Sequence, residues 1–159
     1  MIQPVQLISR TLVDEVAARA AASARRRMNF NFHSSLDENP HRLLNILWRD
    51  TYITPHRHSN PPKCETFLIL EGAAKVVLFH DDGTPDSVHH LSAPSRGDVW
   101  GIDLAPALWH TIVAVSECAV CFEVKPGPWE ATTDKDFAPW APRENAEGWK
   151  EYLAWLHTL

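Results

Sequence analysis

The sequence predicts an all-β fold, a β-sandwich or a closed barrel, with one helix near each end of the chain. Three observations support this prediction: many short apolar runs follow one another, turn signals separate them, and helical periodicity occurs only near the two ends. The 159 residues include 12 prolines, and prolines that punctuate short apolar runs favour strands and loops over a helix bundle. A chain of this length is typical of one domain with a sizeable core.

Apolar residues at helical spacing predict the two helices. Residues 9 to about 25 form the first, and Ser9 is placed to cap its N-terminus. Its stripe consists of Leu12, Val13, Val16, Ala17 and Ala20. The second helix extends from about Glu147 to His157. Its stripe, Trp149, Tyr152, Leu153 and Leu156, is expected to pack on the barrel or to cover a partner subunit.

Between the helices the period of the pattern changes to two, which is typical of strands. The first strand has a polar face made of Arg27, Asn29, Asn31 and His33. Eight further runs predict strands at residues 43–48, 52–56, 66–70, 73–80, 87–91, 99–104, 110–115 and 118–124. We therefore expect a single domain over residues 1–159, with an N-terminal helix in 1–26, a β-barrel in 27–128, and an irregular segment and helix in 129–159.

Composition narrows the classes of partner. Fifteen basic against twenty acidic side chains give a net charge of −5, which argues against nucleic acid as the main partner. The chain has no run of about 18 apolar residues that could span a membrane. Asp14 and Glu15 interrupt the region where the apolar core of a signal peptide would lie. Together with an odd number of cysteines, these observations predict a cytoplasmic protein.

The strongest chemical signal is a set of three histidines and one glutamate. His56 and His58 are two residues apart, so in a strand both side chains lie on one face. Glu65 begins the next predicted strand, and His110 lies on a later strand after Pro106. Three imidazoles and a carboxylate suit a divalent metal such as iron, zinc, manganese, nickel or copper. With nine histidines in the chain, a chance pair on a surface strand is the alternative, but the order of these residues on successive strands favours the metal site.

Other residues are candidates for contact with a substrate. The polar face of the first strand, Arg27, Asn29 and Asn31, either lines the mouth of a pocket or is an exposed edge, and His33 on the same face is a candidate catalytic group. Arg42 either binds an anionic group or forms a surface ion pair. Tyr52 and Phe67 form an apolar wall of the pocket or belong to the core.

Several stretches resemble a known family. Residues 50–72 resemble the first cupin motif and residues 97–111 the second. Residues 27–33, 41–45, 55–58, 65–67, 109–110, 122–128 and 137–142 are similar to the WbuC-type cupin fold metalloproteins, so that the resemblance covers about residues 5 to 144. It implies a double-stranded β-helix barrel that binds one divalent ion per chain through His56, His58, Glu65 and His110. Residues 145–159 extend beyond it.

The resemblance also suggests a field of function, because family members often lie in gene clusters for surface polysaccharide synthesis. One hypothesis is a metal-dependent enzyme, similar to an isomerase or epimerase, that acts on a small polar molecule such as a sugar or nucleotide sugar. Bound iron would instead permit dioxygenase chemistry. The alternative is a metal-organised binding protein without turnover, and a third is a structural metal in an interaction protein. A fold does not choose among them. A homodimer is expected by analogy with cupins.

Overall fold

Two five-stranded antiparallel β-sheets form the body of the computed structural model, which describes residues 4–159. In chain order the elements are α1 (Arg10–Ala22), β1 (Arg27–Asn31), β2 (His41–Trp48), β3 (His56–Arg57), β4 (Glu65–Glu71), β5 (Ala73–Phe79), β6 (Pro85–Ser92), β7 (Gly101–Leu104), β8 (Trp109–Ala114), β9 (Cys118–Lys125), β10 (Asp136–Phe137) and α2 (Trp149–Thr158). The first sheet has the order β1-β2-β9-β4-β7 and the second the order β10-β3-β8-β5-β6. The predicted all-β fold with a helix near each end is confirmed.

The inward faces of the strands change from apolar to polar along their length. On β4, Phe67 belongs to the core between the sheets, whereas Glu65, two residues earlier on the same face, lies near a cavity. On β9 the same change occurs between Ala119 in the core and Glu123 at the cavity. Because side chains alternate across a strand, one set of inward positions supplies both regions. The barrel interior is therefore filled with apolar side chains at one end and is a polar cavity at the other.

Each helix covers the outer face of one sheet. Val13, Val16 and Ala20 of α1 pack against Leu44 and Ile46 of β2. The predicted cap is confirmed, since the Ser9 hydroxyl accepts a hydrogen bond from the amide of Leu12 at 3.2 Å.

The second helix packs on the barrel, the first of its two expected positions. Leu153 and Leu156 lie in a cluster with Val77, Trp109 and Val113 of the second sheet. Within the part of the chain that the structure describes, no helix is long and apolar enough to cross a membrane.

Two predicted segments differ from the structure. The expected strand at residues 52–56 is wrong for its first four residues, because only His56 and Arg57 form β3. Pro55 has no amide hydrogen to donate to a neighbouring strand. The segment after residue 128, predicted to be irregular up to the final helix, contains β10, which pairs with β3 and places Phe137 opposite His56. This pairing brings the C-terminal segment to the rim of the cavity.

Gly72, in the turn between β4 and β5, tests how closely this turn packs against the segment that contains Ser116 and Cys118. Its φ is +72°, and a Cβ there would lie 2.3 Å from the carbonyl oxygen of Cys118 and 2.4 Å from Ser116 Oγ. We expect Gly72→Ala to lower the free energy of unfolding by about 3 kcal/mol, since a left-handed backbone and overpacking each cost about 1–3 kcal/mol. Gly148→Ala is the matched control: its φ is +81° and no heavy atom lies within 4 Å of the added Cβ. Urea unfolding that shows equal losses in both variants would contradict the packing of this turn.

Candidate metal centre and its cavity

Four side chains from both sheets meet inside the barrel. His56 on β3 lies directly opposite His110 on β8 in the strand register, and His58 follows one residue after the end of β3. Glu65 enters from the first residue of β4, in the other sheet. One nitrogen or oxygen atom from each of the four residues lies within 4.8 Å of all the others, and each residue is at most 4% exposed. The set proposed from sequence spacing is therefore assembled by the fold into one cluster.

Backbone carbonyls fix the orientation of the three imidazoles. Nδ1 of His56 contacts the carbonyl of Thr54 at 3.0 Å, and Nδ1 of His110 contacts the carbonyl of Leu108 at 2.9 Å. Nδ1 of His58 contacts the carbonyl of Asp134. A carbonyl oxygen only accepts hydrogen bonds, so each Nδ1 bears the proton and each Nε2 presents a lone pair to the cluster. This is the arrangement in which histidine binds metals through Nε2.

The inward atoms of the cluster are compatible with a cation between them. His110 Nε2 lies 2.9 Å and His58 Nε2 lies 3.4 Å from Glu65 Oε2. His58 Nε2 is buried without a hydrogen-bond partner. The ammonium of Lys125, with Nζ 3.7 Å from Glu65, favours the ionised form of this carboxyl group. Imidazole lone pairs facing an ionised carboxylate fit a divalent ion, because all four atoms are electron donors.

A second layer of buried charges surrounds the cluster. Lys125 Nζ lies 3.7 Å from Glu65, 3.4 Å from Glu123 and 3.5 Å from Asp134. Asp134 also pairs with Lys63 at 2.8 Å, and its own carbonyl orients His58. Burial and the charge of Glu65 raise the pKa of Glu123 to about 7, against the opposing charge of Lys125. Burial lowers the pKa of Lys125, but the three carboxylates together raise it above its ordinary value.

The sequence had predicted no role for these second-layer residues. Glu123 and Lys125 lie two apart on β9 and continue the inward face that starts with Ala119 and Cys121. Two charged residues on the inward face of an otherwise apolar strand were the signal that could have identified them.

The cluster lies in a cavity of about 830 Å³. The apolar part of its wall includes Leu47, Phe67 and Ile112, which also belong to or border the core. The C-terminal segment supplies another part of the wall. Its lining residues are Trp129, Ala131, Asp134, Lys135, Phe137, Arg143 and Glu144.

Several sequence-predicted contacts lie at this cavity. Arg27, Asn29 and Asn31 line it, so the polar face of β1 is turned to the pocket and not to an outer edge. His33 also lines the cavity and stacks on His41 with ring centroids 4.0 Å apart. Burial is the main cause that lowers the pKa of His33. Phe67 lines the cavity as well.

Two predicted contacts lie elsewhere. Arg42 lies on the opposite face of β2 from the cavity-lining His41, because alternate side chains point to opposite sides of a strand. Its guanidinium pairs with Glu38, so the alternative of an ion pair is the correct one. Tyr52 is only 2% exposed and packs in the cluster under α2, where its hydroxyl donates to the carbonyl of Pro142 at 2.7 Å. It is a core residue.

Comparison with known proteins agrees with the architecture. A family described as a domain of unknown function, DUF6016, matches residues 8–91. No curated protein has significant sequence similarity to the chain. An uncharacterised conserved protein from Klebsiella pneumoniae, described as having a double-stranded β-helix domain, superimposes with a TM-score of 0.55 at 18% identity over 84% of this chain and 97% of that one.

A second solved structure is the capsular polysaccharide assembling protein CapF from Staphylococcus aureus. It superimposes with a TM-score of 0.57 at 18% identity over 72% of this chain and 32% of CapF. The chain therefore spans about a third of the length of CapF. At these identities the similarity shows the fold, which is the cupin double-stranded β-helix.

Proposed function

This chain belongs to the DUF6016 family, and from its cupin fold we propose that it is a metal-dependent enzyme for a small polar molecule. One divalent ion would be bound by His56, His58, Glu65 and His110, and the molecule would occupy the cavity above it. The observation that supports this most strongly is the unpartnered Nε2 of His58, buried beside an ionised Glu65. Buried polar atoms are nearly always satisfied, and a metal ion would satisfy this one.

The cavity suits a ligand of sugar size. Its volume of about 830 Å³ lies within the range of roughly 300–1,000 Å³ found for small-molecule sites. Three asparagines, at positions 29, 31 and 45, line it and offer amide groups of the kind that hydrogen-bond hydroxyl groups. A bound divalent ion would supply Lewis-acid polarisation of a ligand oxygen.

His33 is the chain's own candidate for moving a proton. Its Nδ1 contacts the backbone of Arg42 at 3.2 Å, which leaves Nε2 for a ligand. Stacking on His41 fixes the plane of the ring. Because burial lowers its pKa, His33 is neutral at neutral pH, and its Nε2 accepts or donates a proton according to which ring nitrogen bears the hydrogen. Glu123 is already bonded to Asn45 and contacts Lys125, so it is the less available group.

A sugar or nucleotide sugar of surface polysaccharide metabolism is the substrate class that we propose. The resemblance to the WbuC-type cupin metalloproteins and the name of CapF as a capsular polysaccharide assembling protein both point in this direction. The donor set accepts iron, zinc, manganese or nickel, and iron would favour a reaction with dioxygen.

A binding protein without turnover is the second candidate. It is supported by the fact that the buried charges of the second layer, Lys63, Glu123, Lys125 and Asp134, all have partners within the protein. This leaves few groups free for proton transfer.

Saturation-transfer NMR with UDP-N-acetylglucosamine and N-acetylglucosamine would test the proposal. We expect both to give signals with the metal-loaded protein that weaken several-fold after chelation of the metal. Slow appearance of product that is lost in His33→Gln but kept in His90→Gln, an exposed residue on β6, would identify the enzyme. Binding without product would favour the binding protein. Absence of both signals with the loaded protein would contradict the proposed ligand class.

A further inference from the structure

We infer that the ligand of this cavity bears an anionic group, a phosphate ester or a carboxylate, held by Lys135 and Arg143 of the C-terminal segment. The inference rests on the proposed function, because it specifies the chemistry of the molecule that would occupy the same cavity.

The balance of charges around the cavity supports this inference. The lining contains five basic side chains against four acidic ones. Arg25 and Arg27 both pair with Glu144, at 3.0 Å and 2.7 Å. The other three carboxylates surround Lys125. Lys135 and Arg143 are left, and neither has a carboxylate within 4.0 Å among residues 4–159.

These two cations flank the metal cluster. Arg143 stacks over the ring of Phe137, with Cζ 3.9 Å from the ring centroid. Phe137 in turn lies beside His56, with ring centroids 6.1 Å apart. Lys135 precedes Phe137 by two residues and lines the same cavity.

An unpaired cation in a partly closed cavity favours an anionic ligand. Lys135 is half-buried and forms no ion pair within 4.0 Å, although the charges of Glu65, Glu123 and Asp134 act on it. Removing an ammonium from water without a direct ion pair is unfavourable. A divalent ion bound by the cluster, which contains one carboxylate, would add further positive charge to the cavity. The guanidinium of Arg143 is oriented by its stacking on Phe137 and presents paired donors to phosphate or carboxylate oxygens.

The part of the wall that β1 supplies has a different character. Asn29, Asn31 and His33 line it with uncharged polar groups. A molecule with hydroxyl groups at one end and an anion at the other matches both walls. Sugar phosphates and uronic acids share this chemistry.

Isothermal titration at low ionic strength would test the inference with three related probes: glucose 1-phosphate, glucuronate and neutral glucose. The proteins would be metal-loaded wild type, Lys135→Gln, Arg143→Gln and the control Arg96→Gln, which removes an exposed cation outside the cavity. We expect wild type to bind at least one anionic probe about tenfold or more tightly than glucose, since charge-assisted hydrogen bonds are the strong ones. Each cavity variant would lose about tenfold of that affinity, and the control none.

The outcomes separate this inference from the proposed function. A phosphate ester is identified if glucose 1-phosphate binds more tightly, and a carboxylate if glucuronate does. Equal affinity of the anionic probes for wild type and both cavity variants would assign the anion to the metal itself and overturn the inference. No preference over glucose would also overturn it. Arg143 is exposed, so its variant should fold even if Lys135→Gln does not. Metal analysis of the same samples shows separately whether the metal site exists.

Discussion

His58→Ala and His110→Ala are each expected to weaken zinc binding by more than about a hundredfold. Four-ligand zinc sites are stabilised by about 10–16 kcal/mol in total, so one ligand accounts for about 3 kcal/mol or more. The loss should be large because each imidazole is held in place by a backbone carbonyl and no other His, Cys, Asp or Glu of residues 4–159 belongs to the cluster. Competition titration with a chromophoric chelator measures this affinity.

His90→Ala is the matched control, since His90 is exposed on β6. It should leave the stoichiometry at one ion per chain and the affinity unchanged. Wild-type affinity in the His58 and His110 variants would mean that the ion binds elsewhere.

Lys125→Met is expected to destabilise the metal-free protein by about 3–5 kcal/mol. The substitution leaves Glu65, Glu123 and Asp134 buried around an apolar side chain. Removing one partner of a buried ion pair typically costs this much, because an uncompensated charge remains in the interior. Urea unfolding in the presence of a chelator measures the difference.

Lys75→Met provides the comparison for this variant. Lys75 is only 3% exposed, similar to the 7% of Lys125, but its Nζ hydrogen-bonds only to the carbonyl of His157 at 3.2 Å. No buried carboxylate loses its partner, so the cost should be well below that of Lys125→Met. Equal destabilisation by the two substitutions would show that burial of the alkyl chain, and not the carboxylate network, determines the effect.

The sequence predicted most of the fold because the strands follow the two-residue period closely. On β4, Glu65, Phe67 and Ile69 are buried while Thr66 and Leu68 are exposed. The metal cluster was predictable for the same reason, since His56 and His58 had to share a face. The barrel fold then brings Glu65 and His110, which lie on other strands, close to these two histidines.

Two residues were wrongly expected at the cavity, one because the two-residue period of the strands ends before it and one because that period was not applied to it. Tyr52 lies an even number of residues before His56, which in a continuous strand would place both side chains on one face. The intervening segment is not a strand, so this alternation does not apply to Tyr52. Arg42 lies within a regular strand, and alternation from His41 would have placed it on the outer face.

Tertiary pairing explains the elements that the sequence did not reveal. β10 consists of two residues, and its pairing with β3 depends on a contact nearly eighty residues away in the chain. Lys135 and Arg143 reach the cavity through this pairing. No local pattern indicates such a contact, so the C-terminal wall could be recognised only in the structure.

X-ray absorption spectroscopy of the protein loaded with one equivalent of zinc tests the central claim most directly. The spectrum should show three imidazoles and one carboxylate oxygen, with Zn–N distances of about 2.0–2.1 Å, because one ring nitrogen of each histidine lies within 4.8 Å of a Glu65 oxygen. A first shell that contains sulfur, for instance from the cavity-lining Cys121, or fewer than two imidazoles would contradict the account. Such a result would place the ion outside the site that the fold has assembled.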